Sequence, residues 1–491
     1  MLFEPLFAHA QRTPDEVAVI DERGQYTYQY LANAAAGLGL YLSFQTQKSA
    51  VGLLLPPSGG FVASFYGTLL AGKTVVPINY LLGDREVAHV IKDSGIDTVI
   101  TIPQLAPRLA GSDMKVIDLT QLPQTPPMAI TPRFPSPAPD DMAVLLYTSG
   151  TSGLPKGVVL TYRNLQSDVD AAIEHAALRH EHKFLGVIPL FHAFGLTGCM
   201  LGPIQLGAKV VYVARFSPVA MLNAIKEHKL SIVFGVPAMM GALLNLKNAA
   251  PDDFAHTYAM ITGGDALPAK LREGFKARFN VPLLEGYGLT ETSPVVALNV
   301  PQASRPGSVG KLVPGAQAKI VDDDGKDVAT GGEGEVWLKG PMIMSGYYNL
   351  PDETAKVLTA DGYFKSGDLG KLDADGYLYI TGRKKDLIIS GGEKAVPREI
   401  EECLARHPAV AEAAVVGKKD HSRGEVVAAF VTLKPGATAT PDEIRAFARD
   451  ENLATFKVPR EVIIIEELPR SPTGKVLKRV LSDRINAKPE A

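Results

Sequence analysis

Cysteine is nearly absent from this chain: Cys199 and Cys403 are the only two in 491 residues, and they stand far apart. Two thiols so placed make neither a metal-ligand motif nor a disulfide framework. A reduced, cytosolic protein is therefore expected. A basic excess is missing as well, since 50 Lys and Arg meet 53 Asp and Glu for a formal net charge of −3. That balance argues against nucleic acid as the main partner. The opening Met1-Leu-Phe-Glu-Pro lacks a basic segment followed by a long apolar core, so no secretory signal is expected. Long unbroken apolar runs are lacking too. The best candidate, 194–213, is interrupted by Pro203, Gln205, Lys209 and the glycines Gly195, Gly198, Gly202 and Gly207. It reads as a buried helix followed by a strand at 209–213, which leaves only a peripheral membrane contact open.

What is present is ordinary in bulk and specific in detail. Hydrophobic residues make up 46% and charged residues 21%, as in a soluble globular protein. A chain of this length outgrows a single core, so two or more domains are expected. Apolar runs at 17–20, 51–55, 75–78 and 98–101 read as strands, with helical patterns at 61–71 and 84–94 between them. That alternation predicts βαβ units and parallel sheet. It resumes at 184–188, 210–213, 232–234, 258–261 and 281–284, after a connector at 122–140 holding seven prolines. From 305 to 382 the pattern turns to hairpins, with 315–321 and 334–339 flanking an Asp-Asp-Asp-Gly turn. That turn lacks the alternating ligands and terminal Glu of a calcium loop. The last stretch reads as a compact α+β unit, with helices at 397–407 and 441–451 and strands at 410–417, 426–433 and 461–465. The expected division is 1–384 and 385–491.

The densest chemistry lies in Tyr147-Thr-Ser-Gly-Thr-Ser-Gly-Leu-Pro-Lys-Gly157, directly behind the apolar run 142–146. Glycines let a backbone turn its amides toward a ligand, and hydroxyls donate hydrogen bonds without adding charge. With Lys156 as a mobile cation, Thr148, Ser149, Gly150, Thr151, Ser152 and Gly153 suit a loop that grips a polyphosphate. The Gly-Lys-Ser/Thr ending of a Walker-type loop is missing, because Gly157 and Val158 follow the lysine. A second site, Gly286-Tyr-Gly-Leu-Thr-Glu291, follows the strand at 281–284 and so belongs at the carboxyl edge of a parallel sheet. Thr290 and Glu291 offer adjacent oxygens for a magnesium ion that also holds phosphate. Tyr287 could lie flat against a purine. Further on, Asp368 in Ser366-Gly-Asp368 can accept sugar hydroxyls, Arg383 can hold ribose or phosphate, and Ser390, Gly391 and Gly392 form another loop of small residues. Lys475 sits in Pro472-Thr-Gly-Lys475 near the C-terminus. His175, His180 and His182 read as a solvated helix face.

Taken together, these five motifs, including Gly382-Arg-Lys-Lys-Asp386, resemble in their order the signature of the AMP-forming adenylating superfamily. That superfamily includes acyl-CoA synthetases, luciferases and peptide-synthetase adenylation domains, and the resemblance covers essentially the whole chain. It implies an α/β fold: a large N-terminal domain of parallel α/β sheets with a β-rich subdomain, and a small mobile α+β C-terminal domain. It assigns the 147–157 loop to phosphate, and Gly263, Gly264, Asp265, Ala266, Gly286, Tyr287 and Gly288 to the adenine region. Thr290 and Glu291 are implied for phosphate and Mg2+, Asp368 and Arg383 for the ribose. Lys385 becomes the hinge, and Lys475 the lysine that stabilises the adenylation transition state. Rotation about that hinge would bring the Ser390, Gly391 and Gly392 loop to a CoA channel.

His192, in Pro189-Leu-Phe-His-Ala-Phe-Gly195, matches the aromatic motif bordering the acyl site. The implied pocket walls are Phe191, Phe194, Val236, Met239, Gly263 and Val295, all apolar or small. ATP, Mg2+ and CoA are the implied cofactors and co-substrates. Overall likeness is to medium- and long-chain fatty-acyl-CoA synthetases, with an aryl-acid CoA ligase as runner-up. An enzyme loading an acyl-carrier protein, or a nucleotide-binding protein without ligase activity, are the other classes. Monomer and homodimer both stay open.

Overall fold

A computed structural model describes residues 1–122, 134–148, 154–451, 453–470 and 476–487. The chain forms two compact units: residues 1–318 with 338–364, and residues 319–337 with 365–491.

The first unit contains two sheets. One runs in the order Gly346–Tyr347, Lys156–Thr161, Met142–Thr148, Thr74–Pro77, Ala50–Leu54, Thr98–Thr101, Lys115–Asp118. Its strands from Met142–Thr148 to Lys115–Asp118 pair in parallel. The other has a parallel centre, Leu283–Gly288, Ala259–Thr262, Ile232–Gly235, Lys183–Gly186, Lys209–Tyr212 and Val17–Asp21. Antiparallel strands are added at both ends, Gly24–Thr27 at one and Val295–Leu298 at the other. The central strands are buried along their length, as parallel strands covered on both faces must be.

Local chemistry sets several boundaries. Thr27 caps the helix Tyr28–Gln45 by accepting from Tyr30 N, and Ser58 caps Gly59–Leu70 by accepting from Phe61 N. These helices press together at glycines. A Cβ on Gly39 would lie 3.0 Å from the Gly67 carbonyl oxygen, and one on Gly67 would lie 2.9 Å from that of Ala35. The helix at 84–94 and the strand at 98–101 occur at the predicted residues, as Asp84–Ser94 and Thr98–Thr101. Gly95 in the left-handed region ends the first cleanly. The apolar stretch 194–213 is a helix from Ala193 to Leu206 containing a π turn at Thr197–Leu201, followed by the strand Lys209–Tyr212. Part of the proline-rich connector, 123–133, lies outside the described residues.

The strands Gln317–Val321, Gly334–Lys339, Phe364–Leu372 and Tyr377–Arg383, most of whose residues belong to the second unit, follow one another in order. The acidic turn behaves as a turn. Asp322 Oδ1 accepts from the backbone N–H groups of Asp324 and Lys326. A separate sheet is built on the long pair Val410–Asp420 and Gly424–Leu433. Alternation along these strands feeds two cores: Val415, Val427, Ala429 and Val431 pack with Ile400 and Ile444. Ala414, Val416 and Phe430 pack with Leu468 and Leu481 on the other face.

The histidine reading is corrected. Only His175 is helical, and its Nε2 lies 2.9 Å from the Leu298 carbonyl oxygen. The His182 ring lies tilted 4.7 Å from the Tyr258 ring, its Nδ1 is 3.2 Å from Ser231 Oγ, and burial lowers its pKa. His180 alone is well exposed. The polar sequence hid these partners because each comes from a distant strand or loop.

Candidate active site

The candidate phosphate loop is flanked by two paired strands. Met142–Thr148 and Lys156–Thr161 pair antiparallel, with Thr148 opposite Lys156 and Tyr147 opposite Gly157. Ser149, Gly150, Thr151, Ser152 and Gly153 lie outside the described residues. Beyond these strands, Thr161 and Asn164 cap each other's backbone N–H at the start of Tyr162–His175. Gly157 allows close packing here. A Cβ there would lie 3.0 Å from Leu145 and 3.2 Å from both Tyr147 and Tyr348.

Lys156 Nζ pairs with Glu353 Oε2 at 2.7 Å and stands 5.2 Å from the centre of the Tyr347 ring. Hydrogen bonds from Lys156 and then Lys356 hold the Glu353 carboxyl down to about 2. Tyr347 donates to Glu291 Oε1 at 2.8 Å, and burial followed by the Glu291 charge raises its phenol. A cation, an aromatic ring and a carboxylate thus form one connected chain. Tyr147 donates to Asp93 Oδ2 at 2.7 Å, and His89 Nε2 lies 3.0 Å from the Pro155 carbonyl oxygen. Tyr347, Glu353, Asp93 and His89 were missed in the sequence, because none sits in a recognisable motif.

Gly286, Tyr287 and Gly288 are strand residues rather than a loop after the strand. The ladder continues past the parallel sheet because Val295–Leu298 turns back antiparallel, with Tyr287 opposite Ala297 and Gly288 opposite Val295. Only glycine fits at 288, where a Cβ would fall 1.6 Å from the Pro294 carbonyl oxygen. Thr290 and Glu291 open the short turn Thr290–Thr292, both half-buried. Asp168, itself buried, accepts from Val295 N at 2.9 Å, and burial drives its carboxyl well above the ordinary range.

Gly263 follows Ala259–Thr262, and Gly264 adopts φ +81°. Exposed Asp265 accepts from Ala266 N at 2.9 Å, and buried Glu285 accepts from Leu267 N at 3.1 Å. Among the candidate acyl walls, Gly263 and Phe194 converge, with Gly286 of the candidate adenine region beside them. A Cβ on Gly263 would meet the Gly286 carbonyl oxygen at 3.4 Å and the Phe194 ring at 3.6 Å. Met239 stands by Gly235, 3.8 Å from a Cβ built there, and Val236 caps the helix Pro237–Leu244. Phe191 packs edge-on against Tyr80 at 4.8 Å and touches the His192 ring at 4.7 Å.

In the second unit, Asp368 and Arg383 are cross-strand partners, Nε to Oδ1 at 3.2 Å, and Asp368 is buried. Lys385 lies in the turn Lys384–Asp386, and burial followed by the Arg383 charge lowers its pKa. Ser390, Gly391 and Gly392 form the tip of the hairpin Ile388–Ser390 and Glu393–Ala395. Lys475 lies outside the described residues. Cys199 and Cys403 are buried, and desolvation pushes the first thiol to about 12 and raises the second.

The residues present fit a nucleotide and its metal. Glu291 keeps one carboxylate oxygen without a hydrogen bond among the described residues, and the Thr290 hydroxyl is its neighbour. Among the described residues no three His, Cys, Asp or Glu cluster as a cage. One or two protein oxygens completed by phosphates is the way magnesium is usually held.

Two paired strands flanking the candidate phosphate loop, with Lys156 on one of them beside Tyr347 and Glu291, suit a nucleotide-using enzyme. The chain belongs to the AMP-binding enzyme family, whose model matches residues 6–348, while that of the family's C-terminal domain matches 399–475. It is 34% identical to a long-chain-fatty-acid–CoA ligase of Bacillus subtilis, over 96% of this chain and 92% of that protein. Identity to a sulfoacetate–CoA ligase of Cupriavidus necator is 38%, over 90% and 87%. An indoleacetate–CoA ligase of Aromatoleum aromaticum is 32% identical, over 97% and 96%. ATP-bound MatB from Rhodopseudomonas palustris superposes with a TM-score of 0.92 at 29% identity, over 99% of both chains. An o-succinylbenzoate CoA synthetase from Bacillus subtilis, solved with ATP and magnesium, gives 0.87 at 30% identity, over 98% and 99%. The class is therefore the AMP-forming acyl-CoA synthetases, with ATP, Mg2+ and CoA as nucleotide, metal and thiol.

Proposed function

We propose that the chain activates a medium- or long-chain fatty acid as its adenylate and passes the acyl group to CoA, releasing AMP and pyrophosphate. One observation carries the choice of acid: the converging residues Phe194, Gly263 and Gly286, with Val236 and Met239 at the start of the adjoining helix, are apolar or small. None of these residues is a cation that would meet a sulfonate, so the sulfoacetate–CoA ligase is a poor guide to the acid. An aryl acid is the second reading, favoured by the indoleacetate ligase matching nearly the whole chain.

The residues take distinct roles in this reading. A carboxylate approaching the α-phosphate is an anion meeting a polyanion, so positioning and charge neutralisation dominate. Thr148, Lys156 and the hydroxyls and amides of 149–153 hold the β and γ phosphates. For Lys156 this means exchanging the Glu353 carboxylate for phosphate. Tyr287 and the Gly264, Asp265 and Ala266 turn take the adenine, and Asp368 and Arg383 the ribose. Thr290 and Glu291 hold the magnesium, which when bound offsets phosphate charge. The Tyr347 hydroxyl keeps Glu291 in place. His192 borders the reacting carboxylate, and Lys475 stabilises the charge developing at the α-phosphate. The thiol arrives with CoA past Ser390, Gly391 and Gly392. Neither cysteine takes part, because both are buried and protonated.

The test is pyrophosphate release across saturated fatty acids of increasing length and a panel of aryl acids, with CoA present or omitted. Release with the fatty acids that rises with CoA supports the reading. Preference for aryl acids moves the protein to the second reading. Release that responds to an acyl-carrier protein but not to CoA replaces the thiol partner.

A further inference from the structure

The helix Tyr28–Gln45 carries no charged residue along its 18 residues. One side is accounted for, since Leu31, Ala35, Leu38 and Leu42 are buried against the unit and Gly39 meets Gly67 of the neighbouring helix. Among the described residues, the other side is left exposed at its C-terminal end. Leu40 is 53% exposed, Tyr41 39% and Phe44 76%. Leu40 and Phe44 are four apart and so share a face. A soluble helix usually turns charged or polar residues to water. Here the most exposed large apolar side chain of the helix is a phenylalanine near its tip.

The surroundings are cationic. Lys48 follows the helix, Lys73 Nζ donates to the Lys48 carbonyl at 2.7 Å, and Lys115 Nζ donates to the Gln45 carbonyl at 3.3 Å. Two acids share this rim. Asp97 Oδ1 is occupied by the hydroxyls of Thr46, at 2.6 Å, and Thr98, at 2.9 Å, and Asp113 lies two residues before Lys115. Three lysines around three exposed apolar side chains match a surface that is apolar beneath and anionic above.

We propose that this helix tip is a docking site for an anionic lipid bilayer, with Phe44, Leu40 and Tyr41 entering the headgroup boundary and Lys48, Lys73 and Lys115 meeting lipid phosphates. Interfacial binding gains from buried apolar area and from attraction to anionic lipid together. Charge separates this occupant from a second copy of the chain, because a self-complementary contact centred on Phe44 would set lysines against lysines. The proposal stands apart from the identity of the acid.

The full-length protein is sedimented with vesicles of phosphatidylcholine alone and of phosphatidylcholine mixed with phosphatidylglycerol. Binding to the mixed vesicles, weaker binding to the neutral ones, and release by added salt are expected. Leu40→Ser with Phe44→Ser lowers the partition coefficient at least about tenfold, while acid- and CoA-dependent pyrophosphate release in vesicle-free solution stays at the parent rate, which shows that the variant is folded. Lys48→Gln with Lys115→Gln removes the preference for anionic vesicles. Absence of binding to either vesicle, or equal binding by the Ser variant, overturns the proposal. A concentration-dependent dimer that Phe44→Ser dissolves, without vesicle binding, overturns it in favour of a second copy.

Discussion

Asp168 is a buried acid whose hydrogen bond among the described residues comes from the backbone N–H of Val295. An unfolded Asp titrates near about 4. Burial places the folded value well above that, so the stability this carboxyl lends is full below about pH 4. It is lost as pH rises toward the folded value. Asn offers the same accepting oxygen without the ionisation. Asp168→Asn is expected to match or fall slightly below the parent at pH 4 and to exceed it increasingly toward neutrality. The gain is about 1.4 kcal/mol for each pH unit over which only the unfolded parent ionises. Melting temperatures of both proteins from pH 4 to 8 check this, and a difference that does not vary with pH removes Asp168 as the titrating group. Lys156, Glu291 and Asp368 were readable as candidates because each stands in a short run of residue types that suits phosphate, metal or sugar. Asp168, Tyr347 and Glu353 were not, since only folding brings them to those runs.

At the scale of elements, the hairpin Ile388–Ser390 and Glu393–Ala395 turns through two residues, Gly391 at φ +63° and Gly392 at φ +90°. Two successive left-handed residues make the tight turn whose twist suits paired strands. Each L side chain placed there costs about 1–2 kcal/mol. Replacing both by Ala is expected to slow thioester formation from supplied acyl-adenylate at least about tenfold, while acid-dependent pyrophosphate exchange stays near the parent rate. Equal loss in both half-reactions counts against a role at the CoA step. The strand 98–101 and the helix 84–94 were legible from period and end signals alone. Gly286 and Gly288 were read as leaving the strand, because glycine weakens a strand in isolation. Their place in the ladder depends on Val295–Leu298, which the residues around them do not announce.

For the whole molecule, residues 319–337 and 365–384 belong with the C-terminal part of the chain. Contacts within that unit explain the grouping: Arg398 donates to the Ile380 carbonyl at 2.6 Å, Lys384 pairs with Glu335 at 3.0 Å, and Lys394 pairs with Asp323. Such pairs join residues far apart in sequence, and no compositional change marks them. Lys385 lies inside this unit, in a turn whose preceding residue would be restricted by a proline. If Lys385 is the hinge between the half-reactions, Lys385→Pro spares pyrophosphate exchange and slows overall CoA-dependent turnover. Stopped-flow measurement of each half-reaction checks it, and unchanged overall turnover places the pivot elsewhere.

The two buried cysteines carry a consequence at the bench. Cys199 and Cys403 are both shielded by packing and protonated at neutral pH, so neither offers a thiolate to a disulfide reagent in the folded protein. A colorimetric thiol titration of the running reaction therefore counts CoA alone. The same silence lets a cysteine introduced at Phe44 be labelled singly with a fluorophore, turning the helix tip into its own reporter.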